Sequence, residues 1–174
     1  LYLKPKYQIW AIAALLVLYS VPMHLHGDWS AQGNWACIID KDILGHFRDG
    51  SVLAADGSVV FAAWYDYTWL WSSLTFCCTV ALGSLAGYMT KTGNNDRKAT
   101  ARKLALIGVA SVVLGLLCGV AQPIIKRIWS ASFTLYSAGW CYLLLALFYW
   151  WIDVKGHTKG WKWLLCFGCN AITA

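Results

Sequence analysis

Charged residues are scarce in this 174-residue sequence: they make up 13% of it, whereas hydrophobic residues make up 59%. That composition is too apolar and too poor in charge for an ordinary soluble domain of this size. It indicates that much of the folded surface faces lipid. The 12 tryptophans and 9 tyrosines agree, because many of them lie at the edges of apolar stretches, where an amphipathic ring suits the headgroup layer.

The sequence also lacks the motifs of several enzyme classes. It has no glycine-rich phosphate loop, no nucleophile elbow and no paired-carboxylate motif. Among seven cysteines, only Cys37 lies outside the predicted helices, so no disulfide framework is readable. Cys166 and Cys169 have a C-x-x-C spacing without a nearby histidine or a second pair. We interpret them as packing residues and predict no metal site.

Long apolar runs predict an all-α, polytopic transmembrane helical bundle with four complete helices and a truncated fifth. The first run is short and ends at Pro22, a residue that interrupts helices. The last run stops at Ala174, short of the roughly 20 residues that cross a hydrocarbon core, and the chain begins at Leu1, so we expect a fragment of a larger membrane domain. The complete spans are predicted at 7–23, 69–89, 104–122 and 131–152, and the fifth begins at 163–174.

The distribution of basic residues predicts the orientation of the bundle. Ten lysines and arginines fall in the N-terminus and in the loops after the second and fourth spans, and four fall on the other side. The positive-inside rule makes the first group cytoplasmic, and we expect a bacterial inner membrane. The net charge of +6 is then mostly a cytoplasmic flank suited to anionic lipid headgroups, and it does not indicate a nucleic-acid partner.

The loop 24–68, of about 45 residues, is the one sizeable extracytoplasmic segment that the spans leave. The turn signals Asp49-Gly50 and Asp56-Gly57 flank short runs of β-prone residues and predict a small hairpin. His24 and His26 follow the first span on a stretch expected to be irregular. They are either interfacial histidines without a chemical role or a weak proton-accepting or metal-binding pair.

Two predicted spans carry stripes of small residues. Gly83 and Gly87 are four apart in the second, and Gly115 and Gly119 are four apart in the third, with Gly108 and Ser111 near the same stripe. Small residues let helices approach closely in lipid. The stripes therefore predict packing seams, and a substrate groove is the alternative.

The short turn between the third and fourth spans is the most informative polar segment. Lys126 and Arg127 lie on the side where basic residues are rare, beside Trp129 and the hydroxyls of Ser130 and Ser132. One interpretation is a snorkelling loop anchored by tryptophan. The other is a polar site that holds a sugar or an anionic group by stacking and hydrogen bonds.

Asn170 would lie inside the membrane layer, where an unpaired amide is costly, so it either bonds to a neighbouring helix or belongs to a site.

Three stretches carry a family resemblance. The most specific is 122–156, with Trp129-Ser-Ala-Ser-Phe and then Leu143-Leu-Leu-Ala-Leu-Phe-Tyr-Trp-Trp-Ile-Asp-Val-Lys-Gly. The others are Phe167-Gly-Cys-Asn-Ala-Ile-Thr-Ala and Tyr65-Asp66 followed by Leu82-Gly-Ser-Leu-Ala-Gly. Together they resemble the C-terminal portion of the heparan-α-glucosaminide N-acetyltransferase family and its bacterial relatives. Three positions depart from that family: Tyr67-Thr68 stand where it has Pro-Glu, and Arg127 follows Lys126 where it commonly has another lysine.

The resemblance implies an integral membrane acyltransferase that moves acetyl from cytoplasmic acetyl-CoA, a co-substrate, to an amino sugar or related glycan on the far side. It implies no metal, and a homodimer would be compatible with it. The family's catalytic histidine lies beside a Trp-Asn-Gly-Leu run that is absent here, so we expect it upstream, assign no catalytic residue and expect the fragment alone to be inactive. The resemblance places Lys126, Trp129, Ser130, Ser132, Asp66 and Asn170 at the sugar site.

Two other functions fit the same sequence. A transporter or glycan-handling protein would use the polar turn and the small-residue stripes as a pathway. Ionisable residues inside the membrane usually mark such pathways, and the centres of the four spans have none, which lowers this interpretation. A purely structural membrane subunit is the third, because helix packing alone explains most of the sequence.

Overall fold

The computed structural model describes residues 4–26, 28–30, 33–48, 50–61, 67–93 and 96–157. The predicted fifth span, Asp66, Asn170 and the C-x-x-C cysteines lie outside these ranges. The main elements are α1 Pro5–Leu25, α2 Trp35–Leu44, β1 Ser51–Leu53, β2 Val59–Phe61, α3 Ser73–Thr92, α4 Arg97–Ala121 and α5 Ala131–Tyr149. A 3₁₀ turn at Gly45–Phe47 follows α2, and a π-helical turn at Trp150–Val154 follows α5.

Four of these helices are long and apolar enough to cross a membrane: α1, α3, α4 and α5 with its π-helical extension. They are 20 to 25 residues long, which matches the thickness of a hydrocarbon core. Large apolar side chains such as Trp10, Val80 and Val120 remain more than 70% exposed on their surfaces. The predicted all-α fold class is confirmed, and the chain is a multi-pass integral membrane protein.

The first helix extends two residues beyond each end of the predicted span 7–23, and Pro22 does not end it. It continues to Leu25, and the backbone N–H of His26 donates to the carbonyl of Pro22 at 3.0 Å to close the last turn. A proline this close to a C-terminus removes one helical hydrogen bond without ending the helix. At the other end Pro5 opens the helix, where its fixed φ suits the first turn.

Three other helices, α2, α4 and α5, start where a polar side chain accepts a free backbone N–H group. Asp96 accepts the N–H of Ala99 at 2.9 Å, so α4 begins seven residues before the predicted span. Ser130 caps α5 in the same way, and Asn34 caps α2. Such caps each stabilise a helix by about 1 kcal/mol.

The packing of α4 against α5 confirms the predicted small-residue seam on α4. A Cβ at Gly115 would lie 2.6 Å from the backbone nitrogen of Tyr136, and one at Gly139 would lie 2.6 Å from that of Val112. A Cβ at Gly108 would lie 2.9 Å from Cγ of Leu143. The backbones therefore touch along an antiparallel hairpin, as small residues allow in lipid.

The matching prediction for α3 is wrong within the described chain. A Cβ at Gly83 or Gly87 would meet nothing within 4 Å, and both glycines are exposed. They border an open hollow of about 420 Å³ between α3 and α5, whose other walls include Thr79, Ser137 and Tyr142. The stripe marks a groove rather than a seam.

Contacts between helices place the spans in alternating directions. Cys78 of α3 lies against Ile12 of α1, and Trp71 donates to the carbonyl of Tyr19, so α1 and α3 are antiparallel. The start of α1, the end of α3, the start of α4 and the end of α5 consequently share one end of the bundle. We call it the basic end, because its described basic residues are Lys4, Lys6, Lys91, Arg97, Lys98, Arg102, Lys103 and Lys155.

The opposite end, which we call the loop end, carries the segment between α1 and α3. The predicted hairpin is confirmed there: β1 and β2 are antiparallel, with Ser51 opposite Phe61 and Gly57 at a φ of 82° in the turn. The pattern of long apolar runs does not predict α2, and it leaves Cys37 in the loop between the first two spans. Cys37 is fully buried within α2, where Asn34 caps the helix through the N–H of Cys37.

Candidate functional site

The turn between α4 and α5 lies at the loop end and is rigidly built. Trp129 adopts a φ of 49°, which is unusual for a bulky residue, and its N–H donates to the carbonyl of Lys126 at 3.0 Å. The next N–H, of Ser130, donates to the carbonyl of Ile125 at 3.1 Å. These bonds hold the turn in a strained conformation, a feature that is enriched at functional sites.

Ser130 and Ser132 form the inner wall of this turn. Both are fully buried. Ser130 Oγ accepts the N–H groups of Ile125 at 3.1 Å and Phe133 at 3.3 Å, and Ser132 Oγ donates to the carbonyl of Pro123 at 3.1 Å. The two hydroxyls, 3.0 Å apart, build the turn and cap α5 instead of facing solvent.

The indole of Trp129 points inward as well. Its Nε1–H donates to the hydroxyl of Thr79 on α3 at 3.1 Å. Its ring meets Phe76 and Phe133 edge to face, with centroids 4.7 Å and 5.1 Å away. This arrangement is favourable for aromatic pairs, and it fixes the turn against both neighbouring helices.

The carbonyl of Ile128 is a hydrogen-bonding hub. It accepts the hydroxyl of Tyr19 at 2.7 Å and that of Ser72 at 2.9 Å. Because Ser72 Oγ donates there, it accepts from Thr68, 2.5 Å away. The hub ties α1 and the start of α3 to the turn, and no local spacing in the sequence signals it.

The outward groups of the turn are basic. Lys126 and Arg127 are both exposed, at the end of the bundle where basic residues are rare. Gln122 lies below them with 4% of its surface exposed. Its Oε1 accepts from Ser20 at 3.2 Å, and its Nε2 has no hydrogen-bond partner in the part of the chain that the structure describes.

The two histidines after the first span are arranged differently from the expectation. His24 belongs to the last turn of α1, and only His26 follows it. His24 meets Trp29 edge to face at 5.2 Å, and His26 lies 5.0 Å from Trp35. The tryptophan partners favour an interfacial anchoring role over a joint chemical one.

A buried acidic residue organises the loop end. Asp40 is fully buried, with Oδ2 accepting the N–H of Trp69 at 2.6 Å and Oδ1 that of Leu70 at 3.0 Å. Burial raises the pKa of this carboxyl, although both backbone donors and the charge of Arg48 oppose the shift. Arg48 is 1% exposed and donates to the carbonyl of Tyr67 at 3.4 Å. Asp40 thus holds α2 to the segment that begins α3.

The structure brings four of the six predicted site residues into one turn. Lys126 is one of its two exposed basic side chains, beside Arg127, and Trp129, Ser130 and Ser132 are its internal supports. Asp66 and Asn170 stay predictions, because both lie outside the described residues. Comparison of the chain with protein-family models, with curated proteins and with solved structures finds no match in any of the three.

Proposed function

We propose that this chain is part of an integral membrane acyltransferase that transfers acetyl from acetyl-CoA to an amino sugar on the opposite side of the membrane. The observation that carries the proposal is the α4–α5 turn. The stretch 122–156 that resembles the N-acetyltransferase family contains this turn, with the exposed Lys126, followed by α5 and its π-helical extension. A fixed turn orients a bound group better than a flexible loop does.

The contacts within the turn divide the roles of its residues. In the proposal Lys126 contacts the acceptor, since the residue is exposed and its ammonium group can donate to hydroxyl or acidic groups of a glycan. Trp129, Ser130 and Ser132 are positioning residues, because their polar atoms already bond within the chain. Asp66 and Asn170 complete the acceptor site in the proposal, on the strength of the family resemblance alone.

In this proposal the basic end faces the cytoplasm, where acetyl-CoA is found, and the loop end faces the acceptor. The excess of lysine and arginine at the basic end supports that orientation through the positive-inside rule. A bacterial inner membrane is the proposed location. The base that deprotonates the amine before it attacks the thioester is not assigned to any residue of this chain.

The proposal is tested with the full-length protein in proteoliposomes, supplied with radiolabelled acetyl-CoA outside and glucosamine inside. We expect labelled N-acetylglucosamine in the lumen. Lys126→Ala should raise the KM for the acceptor roughly tenfold, because a hydrogen bond from a charged group is lost. The matched control, Lys91→Ala at the basic end, should leave that KM unchanged.

Two results would contradict the proposal. One is a protein that neither binds acetyl-CoA nor acetylates any amino sugar. The other is passage of unmodified glucosamine out of the vesicles without acetylation, which would make the protein a transporter.

A further inference from the structure

A groove opens between α4 and α5 at the basic end of the bundle. Its volume is about 380 Å³, close to that of the hollow beside Gly83. Lys98, Arg102 and Trp150 lie at one end of it, and the rest of its wall is aliphatic, formed by residues such as Ala105, Leu143 and Leu147.

The charge of the groove comes from one face of α4. Lys98 and Arg102 are four residues apart, so they lie above one another on the helix, and both are exposed. Neither side chain has a described hydrogen-bond acceptor in the groove, which contains no acidic lining residue. Asp96, the acidic residue nearest in sequence, caps α4 through the N–H of Ala99. The mouth of the groove is therefore positively charged.

The wall of the groove becomes apolar toward the middle of the bundle. Ala105 lies two turns beyond Lys98 on α4, and Leu143 lies two turns before Trp150 on α5. The small side chain of Ala105 leaves the space that the leucines of α5 border. The polarity of the groove therefore changes in the same order as that of a bilayer, from the polar headgroup layer to the apolar acyl chains.

The end of α5 fixes the aromatic side of the mouth. Lys155 lies over the ring of Trp150, with its Nζ 5.1 Å from the ring centroid. Arg97 donates to the carbonyl of Asp153 at 3.1 Å, which ties the π-helical turn to the start of α4. Tryptophan beside basic side chains is typical of the headgroup layer of a membrane.

From this geometry we propose that the groove is a binding site for one anionic phospholipid, with its phosphate between Lys98 and Arg102 and an acyl chain along the aliphatic wall. Basic pockets between helices at a cytoplasmic face are suited to such headgroups. A soluble nucleotide donor would need polar partners along its whole length, and the groove offers them at one end only. The proposal is independent of the proposed acyltransferase activity.

The hollow between α3 and α5 supports the choice of ligand by contrast. Its volume of about 420 Å³ is similar, but no basic residue among those that the structure describes lines it. It can accommodate acyl chains without selecting a headgroup. Charge therefore distinguishes the groove beside Lys98 as the one that discriminates among lipids.

The test is native mass spectrometry of the full-length protein in detergent, titrated separately with phosphatidylglycerol, phosphatidylcholine and coenzyme A. We expect one phosphatidylglycerol to bind more tightly than phosphatidylcholine. Replacing both charges, Lys98→Gln with Arg102→Gln, should weaken phosphatidylglycerol binding roughly thirtyfold, because each basic group near an anionic headgroup contributes about fivefold in affinity. The matched control is Lys103→Gln, which removes an exposed charge of α4 that does not line the groove.

Two more variants separate loss of the site from loss of the fold. The exchange Lys98→Arg with Arg102→Lys keeps both charges and should keep binding. Ala105→Phe fills the aliphatic wall and should weaken binding while leaving the charges in place. Equal affinity for the two lipids, or unchanged binding in the double glutamine variant, would overturn the proposal. Coenzyme A that binds in place of phosphatidylglycerol and is lost with the same two charges would also overturn it.

Discussion

The hydroxyl of Tyr19 donates a 2.7 Å hydrogen bond to the carbonyl of Ile128, 109 residues later in the chain. Tyr19 is fully buried in α1, and Ile128 precedes the strained residue Trp129. The same carbonyl accepts from Ser72, so one acceptor joins α1, the start of α3 and the α4–α5 turn. The geometry of the candidate site therefore depends on helix packing well outside the turn.

Removal of the Tyr19 hydroxyl should destabilise the bundle only modestly. In Tyr19→Phe the carbonyl of Ile128 keeps its bond from Ser72, so we expect a loss of about 0.5–1.5 kcal/mol, the value of one ordinary hydrogen bond. Thermal unfolding in detergent, followed by circular dichroism, measures the change. Tyr88→Phe is the control, since Tyr88 is 46% exposed. Equal melting temperatures for both variants and the original protein would show that the hub does not contribute.

Replacement of the cap of α5 should cost more. Ser130→Ala removes the acceptor of two backbone N–H groups, those of Ile125 and Phe133. We expect a loss of about 1–2 kcal/mol, because a lost cap leaves backbone donors unpaired. Ser73→Ala is a suitable control, since the exposed Ser73 hydroxyl bonds only to the carbonyl of Trp69 in its own turn. A Ser130→Ala protein as stable as this control would contradict the assigned role.

The seam between α4 and α5 predicts opposite effects for two similar substitutions. Gly115→Ala should destabilise by about 1–3 kcal/mol, because the new methyl group would press on the backbone of Tyr136. Gly83→Ala meets nothing within 4 Å and should be neutral or slightly stabilising, since alanine favours a helix over glycine. Unfolding in a denaturing detergent compares them. The reverse order of stabilities would mean that the two helices pack elsewhere.

The buried carboxyl of Asp40 predicts a specific pH dependence of stability. Its folded-state pKa is raised, mainly by burial, so folding favours the protonated form. Its contribution is complete below the ordinary carboxyl pKa of 3.8 and is lost as the pH rises through the raised value. The free energy of unfolding of the original protein, relative to that of Asp40→Asn, should therefore fall as the pH rises from 3.8 through the raised pKa of Asp40.

Asp56→Asn provides the matched control for Asp40. The hydroxyl and N–H of Ser58 lower the pKa of Asp56, so its contribution is present above the ordinary pKa of 3.8 and is lost as the pH falls. For each variant, the difference in melting temperature from the original protein is plotted against pH from about pH 3 to pH 7. The Asp40→Asn and Asp56→Asn differences should change in opposite directions with pH. Parallel curves would contradict the burial of Asp40.

The sequence predicts the spans well because lipid imposes a simple requirement, a run of apolar residues that satisfies its own backbone. It places their limits less well. Helix α4 extends to Arg97 because Asp96 caps it outside the apolar run, and α1 passes Pro22 because a late proline removes only one bond. The ten-residue α2 is stabilised by its cap and its burial, which a search for long apolar runs does not detect.

Contacts between distant elements could not be predicted from one sequence. The stripe of Gly83 and Gly87 identifies a helix face but not what lies opposite, and here that is an open hollow. Residue type suggested that Ser130 and Ser132 could bind a ligand. Their inward hydrogen bonds follow from the path of the turn, which local spacing does not specify.

The central claim is that α1, α3, α4 and α5 cross a membrane and separate the loop end from the basic end. Cysteine labelling in intact cells tests it most directly, in a protein whose native cysteines are replaced by serine and which carries Asp56→Cys, Lys155→Cys or Val109→Cys. We predict that a membrane-impermeant maleimide labels Asp56→Cys in intact cells, Lys155→Cys only after permeabilisation, and Val109→Cys, at the centre of α4, only after denaturation. Labelling of the first two from the same side, or of Val109→Cys without denaturant, would contradict the account.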